Sequence, residues 1–403
     1  MKKVTIVGAG FAGLTLAHHL HKHGFQTVIF DKQETAGGML ETLRTPHGQV
    51  ETAANALLAD KNVEDLFVDL GVDFAERGSA IKKRYIFWEK PTRWPLTWGT
   101  SLKGAKQLFN FMVRGDKSLW PDQGENVHDW AERMVNPELA ARLLEPALQG
   151  VYAGDPLQLS ANLILRAMTK NKPPPGYYKG SIAPVEGMGS LMTALAEDLT
   201  AKGALFQQKT HFRMPEFITT PTVIATSAWS AAEIFQASHP PINQILKQCE
   251  SVPLLRVTCF FEPAKTDLEG FGCLFPLQQK FHSLGVLFDS CIFLNRSKLR
   301  AESWIMGGAQ YPEIGAWSDD QVIESIVADR KRMLGSESRP LSYHVTRWPR
   351  AIPHYTTKWE AALKSLRVSP PLYLHGNYLG QLGLSRILNR SVQLALEIKE
   401  NYG

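Results

Sequence analysis

Between Val4 and Asp31 the apolar positions change their period twice. Val4-Thr5-Ile6-Val7 is the short continuous run of a buried strand, Leu14 to His23 carries its apolar residues at helical spacing, and Gln26-Thr27-Val28-Ile29-Phe30 returns to strand character. Gly24 breaks the helix, and Gly8-Ala9-Gly10-Phe11-Ala12-Gly13 joins it to the first strand. The pattern predicts a βαβ unit. Similar signals return much later. Gly189-Ser190-Leu191 opens a helix through Lys202, and Pro221-Thr222-Val223-Ile224-Ala225-Thr226 reads as a core strand. Pro371-Leu372-Tyr373-Leu374-His375 is another strand, running into Gly376-Asn377, then Gly383-Leu384 and a helix from Ser385 to Glu400. The expected fold class is α/β, with residues 1–75, 181–240 and 366–403 building one discontinuous Rossmann-like domain.

Two long insertions separate those pieces. Residues 76–180 read as a helical insertion rich in aromatic and basic side chains, with Trp88, Trp94, Trp98 and Trp120 inside it. Leu102 to Arg114 has the pattern of a basic amphipathic helix, which suits either an anionic membrane surface or its own domain. A helical run from Pro137 to Leu148 precedes Gln149-Gly150-Val151-Tyr152-Ala153-Gly154-Asp155-Pro156. One glycine suffices as a helix C-cap, so the second implies backbone lying close to something. Gly150 could serve as either. Residues 241–365 alternate short β-like runs, such as Leu255 to Phe261, with turns. They predict an antiparallel sheet that serves as a substrate platform.

The first turn carries the chemistry. In a strand–turn–helix frame, Gly8, Gly10 and Gly13 let backbone approach a pyrophosphate and let helix pack on strand. The helix N-terminus at Phe11 and Ala12 then faces the phosphates. Asp31, beside Lys32, stands where a carboxylate accepts from ribose hydroxyls. The paired glycines Gly37-Gly38 permit a further close approach and, by resemblance to the FAD amine-oxidase superfamily, favour FAD over NAD. Many members carry arginine after that pair, where this chain has Met39.

Composition narrows the class. With 403 residues, 44% hydrophobic and 21% charged, the chain reads as a soluble globular protein of more than one domain. A net charge of +5 is too small for a nucleic-acid binder but suits an anionic ligand or an acidic lipid surface. Cys249, Cys259, Cys273 and Cys291 have neither metal-site nor disulfide spacing, so a reducing cytosol is expected. Met1-Lys2-Lys3 and the apolar run behind it imitate a secretory signal, but the three glycines explain the run better.

Residues 150–156, following Leu144-Glu145-Pro146, resemble the characteristic turn of protoporphyrinogen oxidases. Further segments match that family in order: Lys83-Arg84-Tyr85-Ile86, Gly270 to Pro276, Leu284 to Ser290, Phe293 to Arg296, Ala351 to Tyr355 and Gly376 to Gly380. The resemblance implies an FAD-dependent oxidation of protoporphyrinogen IX to protoporphyrin IX in heme biosynthesis. The flavin takes hydride from the substrate, and oxygen or another acceptor takes the electrons on. Such chemistry needs no catalytic side-chain set and no metal. The resemblance also implies that Arg84 pairs with a substrate propionate, and that Leu274 and Phe293 sandwich the macrocycle. It places Asn55 in the active site, unless Asn55 caps the next helix, and it lays the backbone of Gly150 against the ring. Trp359, Gly376, Asn377, Gly383 and Leu384 are expected near the flavin. The Thr356-Thr357-Lys358-Trp359 stretch departs from the usual pattern, and Ala53 replaces a usual glycine. The alternatives are a coproporphyrinogen oxidase of the same fold and a flavin-dependent isomerase resembling sugar-nucleotide mutases. Because coproporphyrinogen carries more propionates, that reading would call on Arg256, Arg296 and Arg347. The expected location is cytoplasmic, with peripheral contact on the inner face of a membrane.

Overall fold

The computed structural model describes residues 2–93, 120–134, 137–169 and 173–403, with the side chains of 166–169 excepted. Trp94, Trp98 and the amphipathic stretch 102–114 lie outside the described residues. No described helix is long and apolar enough to cross a membrane. All four cysteines are free.

The first sheet is built as the periodicity predicts. Strand β1 (Lys3–Val7) leads into helix α1 (Phe11–Lys22) and strand β2 (Gln26–Phe30). β1 lies at the centre of five parallel strands, between β2 and Thr222–Ile224, with Leu205–Gln207 and Leu372–Leu374 at the two edges. Ile6 sits in register with Ile29 on one side and Val223 on the other. A parallel sheet is covered on both faces, which is why these strands read as unbroken apolar runs. Helices α1, Met188–Ala201 and Leu384–Tyr402 supply Leu16, Leu20, Leu191, Leu195, Leu394 and Ile398 to one fully buried core. The helix after Asn55 runs from Lys61 to Leu70, and its cap is Asp60, whose side chain accepts from Val63 N at 3.0 Å. Asn55 is therefore not the cap.

The second sheet has seven strands, ordered Ser342–Pro353, Ser251–Phe261, Arg300–Gly307, Ser283–Leu287, Gly272–Leu274, Arg84–Trp88 and Lys90–Thr92. Every pairing is antiparallel except that of Gly272–Leu274 with Arg84–Trp88. Its last two strands come from the 76–180 segment, whose remaining described elements include the helices Val127–Met134 and Ala161–Thr169. Side chains alternate across the sheet. Leu255, Val257, Cys273, Phe275, Val286 and Trp304 turn to the helix Asp319–Leu334 and form a closed core with it. The opposite face carries Arg256, Thr258, Ser303, Leu274, Ile86 and Arg84, in register from strand to strand.

Above that second face runs a helix from Pro137 to Tyr152, interrupted by a π-turn at Ala140–Leu144. The N–H of Glu145 returns to the carbonyl of Ala140, five residues back. Pro146 explains the wide turn, because it has no N–H to offer the carbonyl of Arg142.

Candidate active site

At the end of β1 the backbone leaves no room for side chains. Gly8 has φ +112°, and a Cβ on it would lie 2.6 Å from the carbonyl oxygen of Ala225. A Cβ on Gly13 would lie 1.9 Å from the oxygen of Gly8, so only glycine lets α1 come down on the strand. Gly37 N donates to Ala9 O at 2.8 Å and brings Gly38 against Gly10. There a Cβ on Gly38 would stand 3.1 Å from the Gly10 Cα. α1 begins at Gly10 with no side-chain cap and no acidic residue in its first turn. Its leading N–H groups, at Phe11, Ala12 and Gly13, thus form a donor cluster suited to an anion. Asp31 is half-buried and braced, accepting from Ala9 N at 2.6 Å and Gln33 N at 2.8 Å, whereas Lys32 is exposed. This donor set and glycine cradle fit the pyrophosphate and ribose of a dinucleotide. Met39 contributes backbone here: its carbonyl accepts from Thr52 Oγ1 at 2.8 Å.

The last strand delivers the other half. Gly376 is buried, and a Cβ there would meet Tyr378 Cε1 at 2.8 Å and the Thr226 oxygen at 3.1 Å. Asn377 is half-buried, and its carbonyl accepts from the Tyr355 hydroxyl. Gly383, with φ +105°, opens the helix Leu384–Tyr402, again without side-chain cap or first-turn acid. Leu384 packs at the edge of the nucleotide-domain core. Trp359 stands beside this turn. It exposes nothing, and its Nε1 donates to Tyr378 O at 2.9 Å, so it braces the 376–378 turn from behind.

On the second sheet, Arg84 and Ile86 pair with Gly272 and Leu274 and share their face. The guanidinium of Arg84 lies 4.7 Å from the ring centre of Phe271. It is exposed and, among the described residues, meets no carboxylate. Gly150 lies within the helix Glu145–Tyr152, not at its end. The left-handed cap is Ala153, with φ +48°. What approaches the bare Cα of Gly150 is Leu274: a Cβ on Gly150 would fall 2.5 Å from Leu274 Cδ2.

Leu274 and Phe293, expected to enclose one ring, have different surroundings. Leu274 is half-buried beside Gly150, while Phe293 is 1% exposed and belongs to the nucleotide-domain core, with the Arg296 guanidinium 4.5 Å from its ring centre. Phe293 and Asn55 meet instead at a small polar cavity shared with Glu51, Arg256, Asp289 and Arg296.

That cavity exposes a network the sequence did not reveal. Asn55 Nδ2 donates to Asp289 Oδ1 at 3.1 Å, and Ser303 Oγ donates to Asp289 Oδ2. Arg256 donates to Ala53 O at 2.6 Å and to Ser303 Oγ at 2.9 Å, and lies 3.8 Å from Asp289. Burial pushes the Asp289 carboxyl up, opposed mainly by Arg256. Burial likewise raises Glu51 and lowers Arg296, whose guanidinium stands 3.5 Å from Glu51. Trp348 Nε1 holds Thr52 O at 2.8 Å. The one available signal was a charge inside an apolar strand, Leu254-Leu255-Arg256-Val257.

Residues 217–393 match the family described as flavin containing amine oxidoreductase, and residues 6–70 match an NAD(P)-binding Rossmann-like domain. Mitochondrial protoporphyrinogen oxidase of Nicotiana tabacum is 24% identical over 98% of this chain and 94% of its own length. Coproporphyrinogen III oxidase of Bacillus subtilis is 22% identical over 95% of each chain. Among solved structures, cyclohexylamine oxidase from Brevibacterium oxydans superposes with a TM-score of 0.74 at 14% identity, covering 99% of both chains.

Proposed function

We propose that this chain, an FAD-dependent oxidoreductase of the flavin-containing amine oxidoreductase family, oxidises a porphyrinogen to its porphyrin in heme biosynthesis, with protoporphyrinogen IX as the preferred substrate. The carrying observation is the exposed Arg84 guanidinium. It is stacked on Phe271, has no carboxylate partner among the described residues, and shares the sheet face of Leu274, against which Gly150 packs. A guanidinium fork placed over a ring, with no counter-charge among the described residues, is suited to a propionate. The same face offers the half-buried Leu274 as apolar surface, backed by the buried Ile86.

Gly8, Gly10, Gly13 and Asp31 would hold the pyrophosphate and ribose of FAD. Gly37, Gly38, Met39, Gly376, Asn377 and Gly383 would line its path. When bound, FAD supplies the sink for hydride from a meso carbon, with oxygen or another acceptor taking the electrons onward. The chain's own residues bind, orient and exclude water. The aligned family and the relatives' names support porphyrinogen chemistry over isomerisation.

Coproporphyrinogen is the second reading, supported by the Bacillus subtilis relative. Its additional propionates would call for more free cations. Arg256 is committed to Ala53 and Ser303, Arg296 to Pro184 and Glu51, and Arg347 to Trp317 and Asp319. That commitment favours protoporphyrinogen. The test is to offer the flavin-loaded protein each porphyrinogen separately and follow porphyrin fluorescence and oxygen uptake. Faster turnover of protoporphyrinogen is expected. Faster turnover of coproporphyrinogen would reverse the substrate assignment, and no porphyrin from either would reject the reading.

A further inference from the structure

We propose that Asp289 is a positioning residue for this oxidation: with Ser303 and Arg256 it locks the amide of Asn55, so that Asn55 Oδ1 is left as an acceptor for the bound substrate. The inference rests on the porphyrinogen reading together with the family resemblance, which places Asn55 in the active site.

The lock follows from donor and acceptor inventory. Asn55 turns its Nδ2 to Asp289 Oδ1 at 3.1 Å; Arg256 and Ser303 favour the ionised Asp289, and a carboxylate only accepts, so the NH₂ is the group held there. The amide oxygen is thereby directed away from Asp289. The carboxylate is itself fixed. Its second oxygen accepts from Ser303 Oγ, which also contacts Thr258 Oγ1 at 3.1 Å and accepts from Arg256 at 2.9 Å. Arg256 spans the gap, its other terminal nitrogen donating to Ala53 O at 2.6 Å. Residues 52–55 are fastened on the other side as well, since Thr52 Oγ1 donates to Met39 O while Trp348 holds Thr52 O. The segment carrying Asn55 is thus tied both to the glycine-pair turn at 37–39 and to the inner face of the second sheet.

A purely structural junction would be served as well by apolar side chains, because burying charges is costly even when they pair. Retaining a carboxylate, a guanidinium and an amide there makes sense where one amide orientation has to be enforced. Misplacing a substrate contact by about 1 Å can cost on the order of a hundredfold in rate.

The experiment measures kcat, KM, flavin content and melting temperature for Asp289→Ala, Asp289→Asn, Asn55→Ala and Asp289→Ala/Asn55→Ala. Expected is a loss of kcat/KM of about tenfold or more for Asp289→Ala at near-normal flavin content. Partial recovery is expected in Asp289→Asn, which keeps one acceptor. In the Asn55→Ala background, Asp289→Ala should lose nothing further, since the two act as one unit. Losses that multiply would overturn the proposal. An unchanged kcat/KM in Asn55→Ala would remove Asn55 from the site and the lock with it, leaving the porphyrinogen reading to its own assay. Should Asp289→Ala not fold, Ser303→Ala carries the same comparison. A loss that vanishes in the Asn55→Ala background supports the lock, and one that persists there rejects it.

Discussion

Gly150 and Leu274 are matched in shape: the bare Cα of one makes room for the side chain of the other, and a Cβ would come within 2.5 Å of Leu274 Cδ2. Gly150 sits within a helix, where alanine is favoured by roughly 0.5–1 kcal/mol. Gly150→Ala should therefore leave the melting temperature unchanged or slightly raised while turning Leu274 aside. Turnover should fall at normal flavin content. Thermal melting beside steady-state kinetics checks this, and full turnover would detach the pair from the substrate face.

Among the described residues, Arg84 is held by Phe271 and by its strand and makes no ion pair. Arg84→Ala should raise KM about ten- to hundredfold, the equivalent of a lost charge-assisted hydrogen bond of about 1.5–3 kcal/mol. Bound flavin and melting temperature should stay near normal. Arg84→Lys should recover part of the affinity, because it restores charge but not the fork. An unchanged KM in Arg84→Ala would take the residue out of the site.

Gly13→Ala should act on the cofactor alone at first sight, but its cause is packing. The added methyl would stand 1.9 Å from the oxygen of Gly8, which is backbone and cannot swing away. Either α1 lifts from β1 or the glycine turn deforms, and both spoil the donor cluster at Phe11 and Ala12. Visible flavin absorbance per protein should drop sharply. Retention of full flavin would show that this turn is not the phosphate cradle.

His375 and His19 predict the acid limit of the fold. Burial lowers the pKa of each to about 3. His375 is fully buried, with Nε2 at 2.8 Å from Ser391 Oγ. In the unfolded chain each would titrate near its ordinary value, so the unfolded state binds more protons below that pH. Their contribution is complete above about pH 6.5 and is lost as pH falls towards 3, by about 1.4 kcal/mol per pH unit for each histidine. Denaturant midpoints followed down from about pH 7 should show this slope, with a smaller one in His375→Gln. An identical slope in that variant would clear His375 of the effect.

Local pattern carried much of the fold. A period change from strand to helix, punctuated by Gly8, Gly10, Gly13 and Gly24, is enough to define β1, α1 and β2, because each glycine is needed by backbone geometry a few residues away. The later strand Thr222–Ile224, the edge strand Leu372–Leu374 and the helix Leu384–Tyr402 were legible for the same reason. Arg84–Trp88 lies in the 76–180 stretch expected to be helical, and neither its strand nor its partner was legible. Its parallel pairing with Gly272–Leu274 joins segments far apart in sequence, and no local signal records such a contact.

The site divides along the same line. The glycine cradle and Asp31 belong to the sequence, since a dinucleotide turn needs those residue types at that spacing. Whether a glycine caps a helix or opens a space for leucine, and whether a buried tryptophan touches a ligand or props a turn, depends on what the neighbouring elements bring up to it. So do the carboxylate that orients Asn55 and the commitments that occupy Arg256, Arg296 and Arg347. Hydrogen bonds and ion pairs act over a few ångströms of space, whatever the length of chain between the partners, and only the folded arrangement sets that distance.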